Sequence, residues 1–259
     1  MGHSRYFEVN ELRKNGYVHV RNIVPEVLLN AVKSLLENVY KNIQVSAQDN
    51  FQDLSFFRED VEKIGEQEVV RRLKTGQFPP SVRSSKDVLA LASSDDIMSF
   101  LLQVMQSDEL YLHMYPMCRF IESGNMDSAV PAHQDFLYNQ HMSDFYVVWI
   151  PLVEINDTCG GVRFFRYGKK EPYQYYLDGS ENKEWESPLN TSGLEYEDIY
   201  MTPGDILVFD KYCIHESKPN SSDYLRLSLD LRYFSGRDVS SKHCFSFSDN
   251  AVLEGKLNV

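Results

Sequence analysis

Hydrophobic and polar positions change their period part-way along this chain. Up to about residue 108 the apolar residues recur at helical spacing, and beyond it they alternate or form short runs. Residues 17–22 read as a first strand. Pro25 then opens a helix, a residue favoured in the first turn, with Val27, Leu28, Val32, Leu35, Leu36 and Val39 on one side. Residues 45–65 are polar and mixed, and Gln52 to Phe57 are expected to lie over a pocket. Two more helices are predicted over Glu66–Lys74 and Asp95–Gln106, the second with Ile97, Phe100, Leu101 and Val104 on one face. Strands are then predicted over about 109–121, 131–136, 145–153, 161–166, 204–210, 213–217 and 224–234. Gly, Pro and Asn separate these short strands, which predicts a jelly roll buttressed on one sheet by the preceding helices. The expected fold class is mainly β with flanking helices around a double-stranded β-helix (jelly roll, cupin-like) core. One domain is expected over residues 1–259: a helical buttress to about 108, the core over about 109–235, and a C-terminal extension over 236–259. Gly168 to Tyr200 is long, polar and rich in aromatics and acids. A connection of that length in a compact domain is usually functional or disordered, and a lid over a substrate is expected.

Chemistry enters with His133-Gln134-Asp135 and with His215, the latter in Asp210-Lys-Tyr-Cys-Ile-His215-Glu-Ser217. Residues two apart on a strand share a face, so His133 and Asp135 can reach one metal ion while Gln134 points away. Two imidazoles and a carboxylate form the facial triad of non-haem Fe(II), which leaves positions open for a co-substrate and O2. Pro203-Gly-Asp-Ile-Leu-Val-Phe209, a turn followed by a buried strand, precedes His215. Arg226 lies eleven residues after His215, inside Leu225-Arg-Leu-Ser-Leu-Asp-Leu-Arg232. That run alternates strictly, with Leu on one face and Arg226, Ser228, Asp230 and Arg232 on the other. A guanidinium beside a hydroxyl is a bidentate receptor for a carboxylate. The alternative reading is a solvated face on an edge strand, with His215 a satisfied core histidine.

With these pieces in order, the chain resembles the phytanoyl-CoA dioxygenase family of Fe(II)/2-oxoglutarate oxygenases from about residue 15 to about 235. The resemblance is carried by Asn15-Gly-Tyr-Val-His-Val-Arg-Asn-Ile-Val24, Pro131-Ala-His133-Gln-Asp135, Val148-Trp-Ile-Pro-Leu152, Gly160-Gly-Val-Arg-Phe-Phe165, Pro203 to Phe209, His215-x-Ser217 and Arg226. It implies that His133, Asp135 and His215 are iron ligands and the catalytic centre. It further implies that Arg226 clamps the distal carboxylate of 2-oxoglutarate with Ser217 nearby, and that Trp149 and Tyr115 line the co-substrate pocket. Arg232 is the next candidate for the clamp. The family often follows its double glycine with Pro-Gly-Ser-His, whereas this chain reads Phe164-Phe-Arg-Tyr-Gly-Lys-Lys170. The implied activity is hydroxylation of a small-molecule metabolite or natural-product intermediate, using O2 and 2-oxoglutarate and releasing succinate and CO2. Asp135 separates the chain from related halogenases, which carry Gly or Ala there. Desaturation, cyclisation and epimerisation use the same cofactors and stay open.

Composition adds exclusions. Twenty-six basic and 38 acidic residues give a net charge of −12, which disfavours nucleic acid or an anionic membrane surface as the main partner. No apolar run approaches the roughly 20 residues of a membrane span, and the N-terminus lacks the apolar region of a signal peptide. Cys118, Cys159, Cys213 and Cys244 show no paired spacing and suit a reduced, cytoplasmic protein. Cys213, two residues before His215, is expected on the same strand face as a small core residue. His3, His19, His113, His141 and His243 show no ligand spacing and are expected to be structural or on the surface. Tyr173 to Tyr176 is expected to pack in a loop or interface. A catalytically silent metal-binding jelly roll remains the alternative from another class. A zinc hydrolase fits poorly, without a His-Glu-x-x-His helix.

Overall fold

A computed structural model describes residues 5–125, 129–142, 144–175, 189–236 and 240–255. Helix α1 (Tyr6–Asn15) ends where Gly16 adopts a left-handed conformation and donates its N–H to the Leu12 carbonyl. Strand β1 (Tyr17–Val20) follows, then α2 (Glu26–Gln48). The buried stripe of α2 is Leu29, Val32, Leu36, Val39 and Ile43, one to every three or four residues. Val27, expected on that stripe, is exposed, and Leu29 takes its place.

Beyond α2, Ser55–Phe57 forms a 3₁₀ turn leading into α3 (Arg58–Ile64) and α4 (Glu66–Lys74). Phe57 is buried in the helix-side core, and none of residues 52–57 lines the main cavity, contrary to expectation. Two short helices not predicted from periodicity, α5 (Pro80–Arg83) and α6 (Lys86–Ala92), precede α7 (Asp95–Met105). They are too short for a helical repeat to show. On α7 the buried residues are Ile97, Phe100, Leu101 and Val104.

The predicted strand over 109–121 is two strands, β2 (Leu110–His113) and β3 (Met117–Ile121). Both pair with β9 (Arg226–Ser235), and the register slips by two residues between them. Pro116, which has no N–H for a ladder, lies in the break. The buried Arg83 side chain donates to the carbonyls of Tyr115 and Pro116 there. The remaining strands are β4 (Tyr146–Pro151), β5 (Val162–Phe165), β6 (Tyr196–Asp198), β7 (Ile206–Asp210), β8 (Ile214–Ser217), β10 (Cys244–Ser246) and β11 (Ala251–Leu253). The predicted strand over 131–136 does not form. His133 makes an isolated bridge to His215, and Asp135–Leu137 is a 3₁₀ turn.

The larger sheet runs β1-β7-β4-β9-β2-β10-β11, with β3 beside β2 along β9, and the smaller runs β6-β5-β8. The C-terminal stretch therefore adds β10 and β11 to the larger sheet instead of trailing from it. Alternation divides the strands between two layers. On β4, β7 and β9, Val148, Ile150, Ile206, Val208, Leu227, Leu229 and Leu231 face the helices. Val147, Trp149, Leu207 and Phe209 face the smaller sheet, where Val162 and Phe164 meet them. Helices, large sheet and small sheet thus form three layers, with the jelly roll's interior between the sheets. Among the described residues no single helix is long and apolar enough to cross a membrane.

Gly160 fixes a close approach between loops. Its φ of +62° is left-handed, and a Cβ there would lie 2.2 Å from the Pro219 carbonyl oxygen. Next to it, Lys218 donates its N–H to the Gly161 carbonyl. Gly160→Ala is expected to cost more than about 1 kcal/mol in urea unfolding. Unchanged stability would show that the 218–219 backbone can retreat at no cost.

Candidate active site

His215 lies on β8, and its neighbour across the sheet gap is the backbone of His133: each residue's N–H donates to the other's carbonyl at 2.9 Å. This reciprocal pair places the two rings 4.2 Å apart. Each ring is then oriented by the carbonyl two residues before it. His133 Nδ1 bonds the Pro131 oxygen at 2.8 Å, and His215 Nδ1 bonds the Cys213 oxygen at 3.0 Å. A carbonyl can only accept, so both Nδ1 atoms carry the proton and both Nε2 lone pairs are free to ligate.

Asp135 joins them from the first residue of its 3₁₀ turn. One ligand atom each from His133, Asp135 and His215 lie within 4.8 Å of one another, and all three residues are buried. Burial and the adjacent His133 push His215 down to about 3, so the ring is neutral at physiological pH. Burial raises the Asp135 carboxyl, but the Arg232 guanidinium and the two imidazoles outweigh it and hold it well below the usual range. Two imidazoles and one carboxylate, buried and brought together by the fold, suit a divalent transition metal with open positions.

Gln134 turns the other way, as an extended residue between two candidate metal ligands must. Its side chain is fully buried. Nε2 donates to the carbonyls of Tyr212 and Glu171, and Oε1 accepts from the Tyr173 N–H at 2.8 Å. It clips the first part of the long 168–200 stretch to the ligand segment. From the far side, Leu189 donates its N–H to Ala132. Of the stretch expected to form a lid, 168–200, residues 176–188 lie outside the described residues.

The triad opens onto a cavity of about 590 Å³ between the sheets. Arg226, Ser228, Asp230 and Arg232 all line it. Strand β9 is interior to the larger sheet, with β4 on one side and β2 and β3 on the other, so the edge-strand alternative does not hold. Arg226 is buried; Nη2 donates to Ser217 Oγ at 2.7 Å and Nη1 to the Lys218 carbonyl at 2.8 Å. Burial lowers this guanidinium to about 10, and it stays charged. Trp149, opposite Asp230 on β4, and Tyr115, at the β2–β3 break, line the same cavity.

Three side chains stand where periodicity did not place them. Cys213 precedes β8, and its Sγ donates to the Gly16 carbonyl at the end of α1, away from the ligand atoms. His113 lines the cavity, with its ring 4.6 Å from His141; burial pushes it down to about 3. Arg232 donates from Nη2 to both oxygens of Asp135 at 3.1 Å. Only the spacing of Arg226 and Arg232 on one strand face hinted at that last contact.

Residues 12–228 match the profile of the phytanoyl-CoA dioxygenase family, most of the chain. The chain belongs to that family. It is 31% identical over 121 residues to the 1-deoxypentalenic acid 11-beta-hydroxylase of Streptomyces arenae, 43% of each chain. It is 24% identical over 237 residues to a probable phytanoyl-CoA dioxygenase of Caenorhabditis elegans, covering 85% of this chain and 72% of that one. The stronger match thus spans less than half of the hydroxylase. The fold is similar to that of the epimerase SnoN in complex with Fe3+, alpha ketoglutarate and nogalamycin RO, at a TM-score of 0.60 and 15% identity over 91% of this chain and 85% of SnoN. That structural likeness establishes the jelly-roll architecture for this family member.

Gln134→Leu would leave the Tyr173 N–H and the Tyr212 carbonyl without partners. A loss of about 1–3 kcal/mol is expected, with faster amide exchange at Tyr173. Wild-type exchange there would show that the clip holds nothing.

Proposed function

We propose that this chain is a non-haem Fe(II)- and 2-oxoglutarate-dependent dioxygenase that hydroxylates a small-molecule metabolite or natural-product intermediate. The observation that carries this reading is one cavity lined by both a His-Asp-His cluster and a buried, hydroxyl-bonded arginine. His133, Asp135 and His215 are the metal ligands in this proposal. When bound, Fe(II) and 2-oxoglutarate supply O2-dependent oxidation of an unactivated C–H bond, releasing succinate and CO2.

The chain's own contribution is position and exclusion of water. Arg226 and the Ser217 hydroxyl receive the distal carboxylate of the co-substrate. The Lys218 carbonyl and Ser217 hold the guanidinium in one orientation before the carboxylate arrives, so little is lost on binding. Trp149 and Tyr115 form apolar walls of that pocket. His133 and His215 keep their Nε2 atoms toward the metal because their Nδ1 protons are occupied by backbone carbonyls. Asp135 occupies a position that a halogenase would leave to chloride, which favours hydroxylation. We take the chain to act as one domain, and its free cysteines agree with a reducing, cytoplasmic setting.

The test is an anaerobic titration with Fe(II) and then 2-oxoglutarate, followed by a substrate screen for succinate release. Wild type is expected to show the weak visible charge-transfer band of the chelate, and His215→Ala or Asp135→Ala to lose both band and turnover while staying folded. Full activity in either variant would remove the ligand assignment. Arg226→Ala is expected to raise the half-saturating 2-oxoglutarate concentration at least about 30-fold, since breaking a buried charge-assisted pair costs about 2–5 kcal/mol. An unchanged requirement would move the clamp elsewhere.

A further inference from the structure

We propose that Arg232, steadied by Asp230, is a positioning residue that sets the orientation of Asp135 and thereby the metal affinity of the site. This rests on the assignment of His133, Asp135 and His215 as ligands. The three residues are not constrained alike. His133 and His215 are locked to each other by paired backbone hydrogen bonds, and each ring is locked by a carbonyl. Asp135 lies beyond that bridge, on a 3₁₀ turn. Its backbone carbonyl accepts from the Tyr138 N–H and the Asn139 amide, which fixes the main chain and leaves the side-chain torsions free. The carboxylate itself is oriented by Arg232, whose Nη2 lies 3.1 Å from both oxygens. On the other side Oδ1 faces His133 Nε2 at 3.6 Å.

Arg232 can do this because it is rigidly mounted. It is on β9 opposite Val147 of β4, in the interior of the larger sheet. Its second terminal nitrogen, Nη1, is 3.5 Å from Asp230 Oδ1, two residues back on the same strand face. The guanidinium therefore stands between two carboxylates, one on the ligand turn and one on the cavity wall. A buried carboxylate needs a counter-charge before any cation arrives, and Arg232, 3.1 Å away, supplies it. Because Arg232 engages both oxygens, it also opposes a carboxylate swing that would turn Oδ1 away from the imidazoles.

Arg232 is thus separated in role from Arg226, six positions earlier on the same face. Arg226 meets Ser217 and Lys218; Arg232 meets Asp135. The test is metal affinity, measured by Co(II) and Ni(II) titration of apo-protein without co-substrate, for wild type, Arg232→Gln, Arg232→Lys, Asp230→Asn, Arg226→Gln and His215→Ala. Arg232→Gln is expected to weaken metal binding about 10–100-fold and to change the Co(II) visible spectrum as the carboxylate turns. Arg232→Lys restores charge without the fork and is expected to recover part of the loss. Asp230→Asn is expected to lose less, in the same direction. Arg226→Gln is expected to bind metal as wild type, and 2-oxoglutarate affinity at saturating metal is expected to stay wild-type in the Arg232 variants. Wild-type or tighter metal binding in folded Arg232→Gln, with binding lost in His215→Ala, would overturn the role of Arg232 alone. Retained binding in His215→Ala would overturn the ligand assignment itself. If Arg232→Gln does not fold, Asp230→Asn and Arg232→Lys decide: wild-type affinity and an unchanged Co(II) spectrum in both overturn the proposal.

Discussion

Four polar side chains on one strand, Arg226, Ser228, Asp230 and Arg232, are held inside the protein by the leucines that alternate with them. Leu227, Leu229 and Leu231 bury into the helix-side core, so the strand cannot turn its other face to bulk water. Buried charge without a partner is costly, and the rest of the interior is arranged to answer it. Ser217 and the Lys218 carbonyl meet Arg226; Asp135 and Asp230 meet Arg232. The strand thereby carries one partnered guanidinium near its start and another near its end.

The two ends depend on different parts of the chain. At the Arg226 end, the Gly160-Gly161 turn lets the 218–219 backbone pack close, and that backbone supplies a carbonyl to the guanidinium. At the Arg232 end, the 3₁₀ turn after Gln134 delivers Asp135. Gln134 ties that turn to Tyr173 and Tyr212 behind it. One cavity therefore holds a His-Asp-His cluster at one place and a fixed guanidinium at another. In the proposed reaction the chemistry belongs to the cofactors, and the chain's task is alignment.

The helical layer serves the same strand from behind. Tyr233, the residue after Arg232, is fully buried and donates its hydroxyl to the Ala92 carbonyl at the end of α6. Arg83 on α5 satisfies the two carbonyls exposed where β2 and β3 part. Both contacts come from short helices whose sequences carry too few turns for a periodic signal.

Local pattern determined much of this protein. The alternation in Leu225–Arg232 placed the polar row on one face, and the His-x-Asp spacing put two candidate metal ligands on one side of an extended residue. These are legible because side-chain direction follows backbone period. What alternation could not say is which polar face is wet. An edge strand and an interior strand share one pattern, and only pairing with β4 on one side and β2 and β3 on the other put the row inside. Nor could sequence show that residues 131–136 are a bridge and a turn instead of a strand, because their partners come from residues 211–215. The contact of Arg232 with Asp135, 97 positions apart in the chain, is likewise a product of the tertiary fold: two loci meet there because each carries a buried charge that the other neutralises.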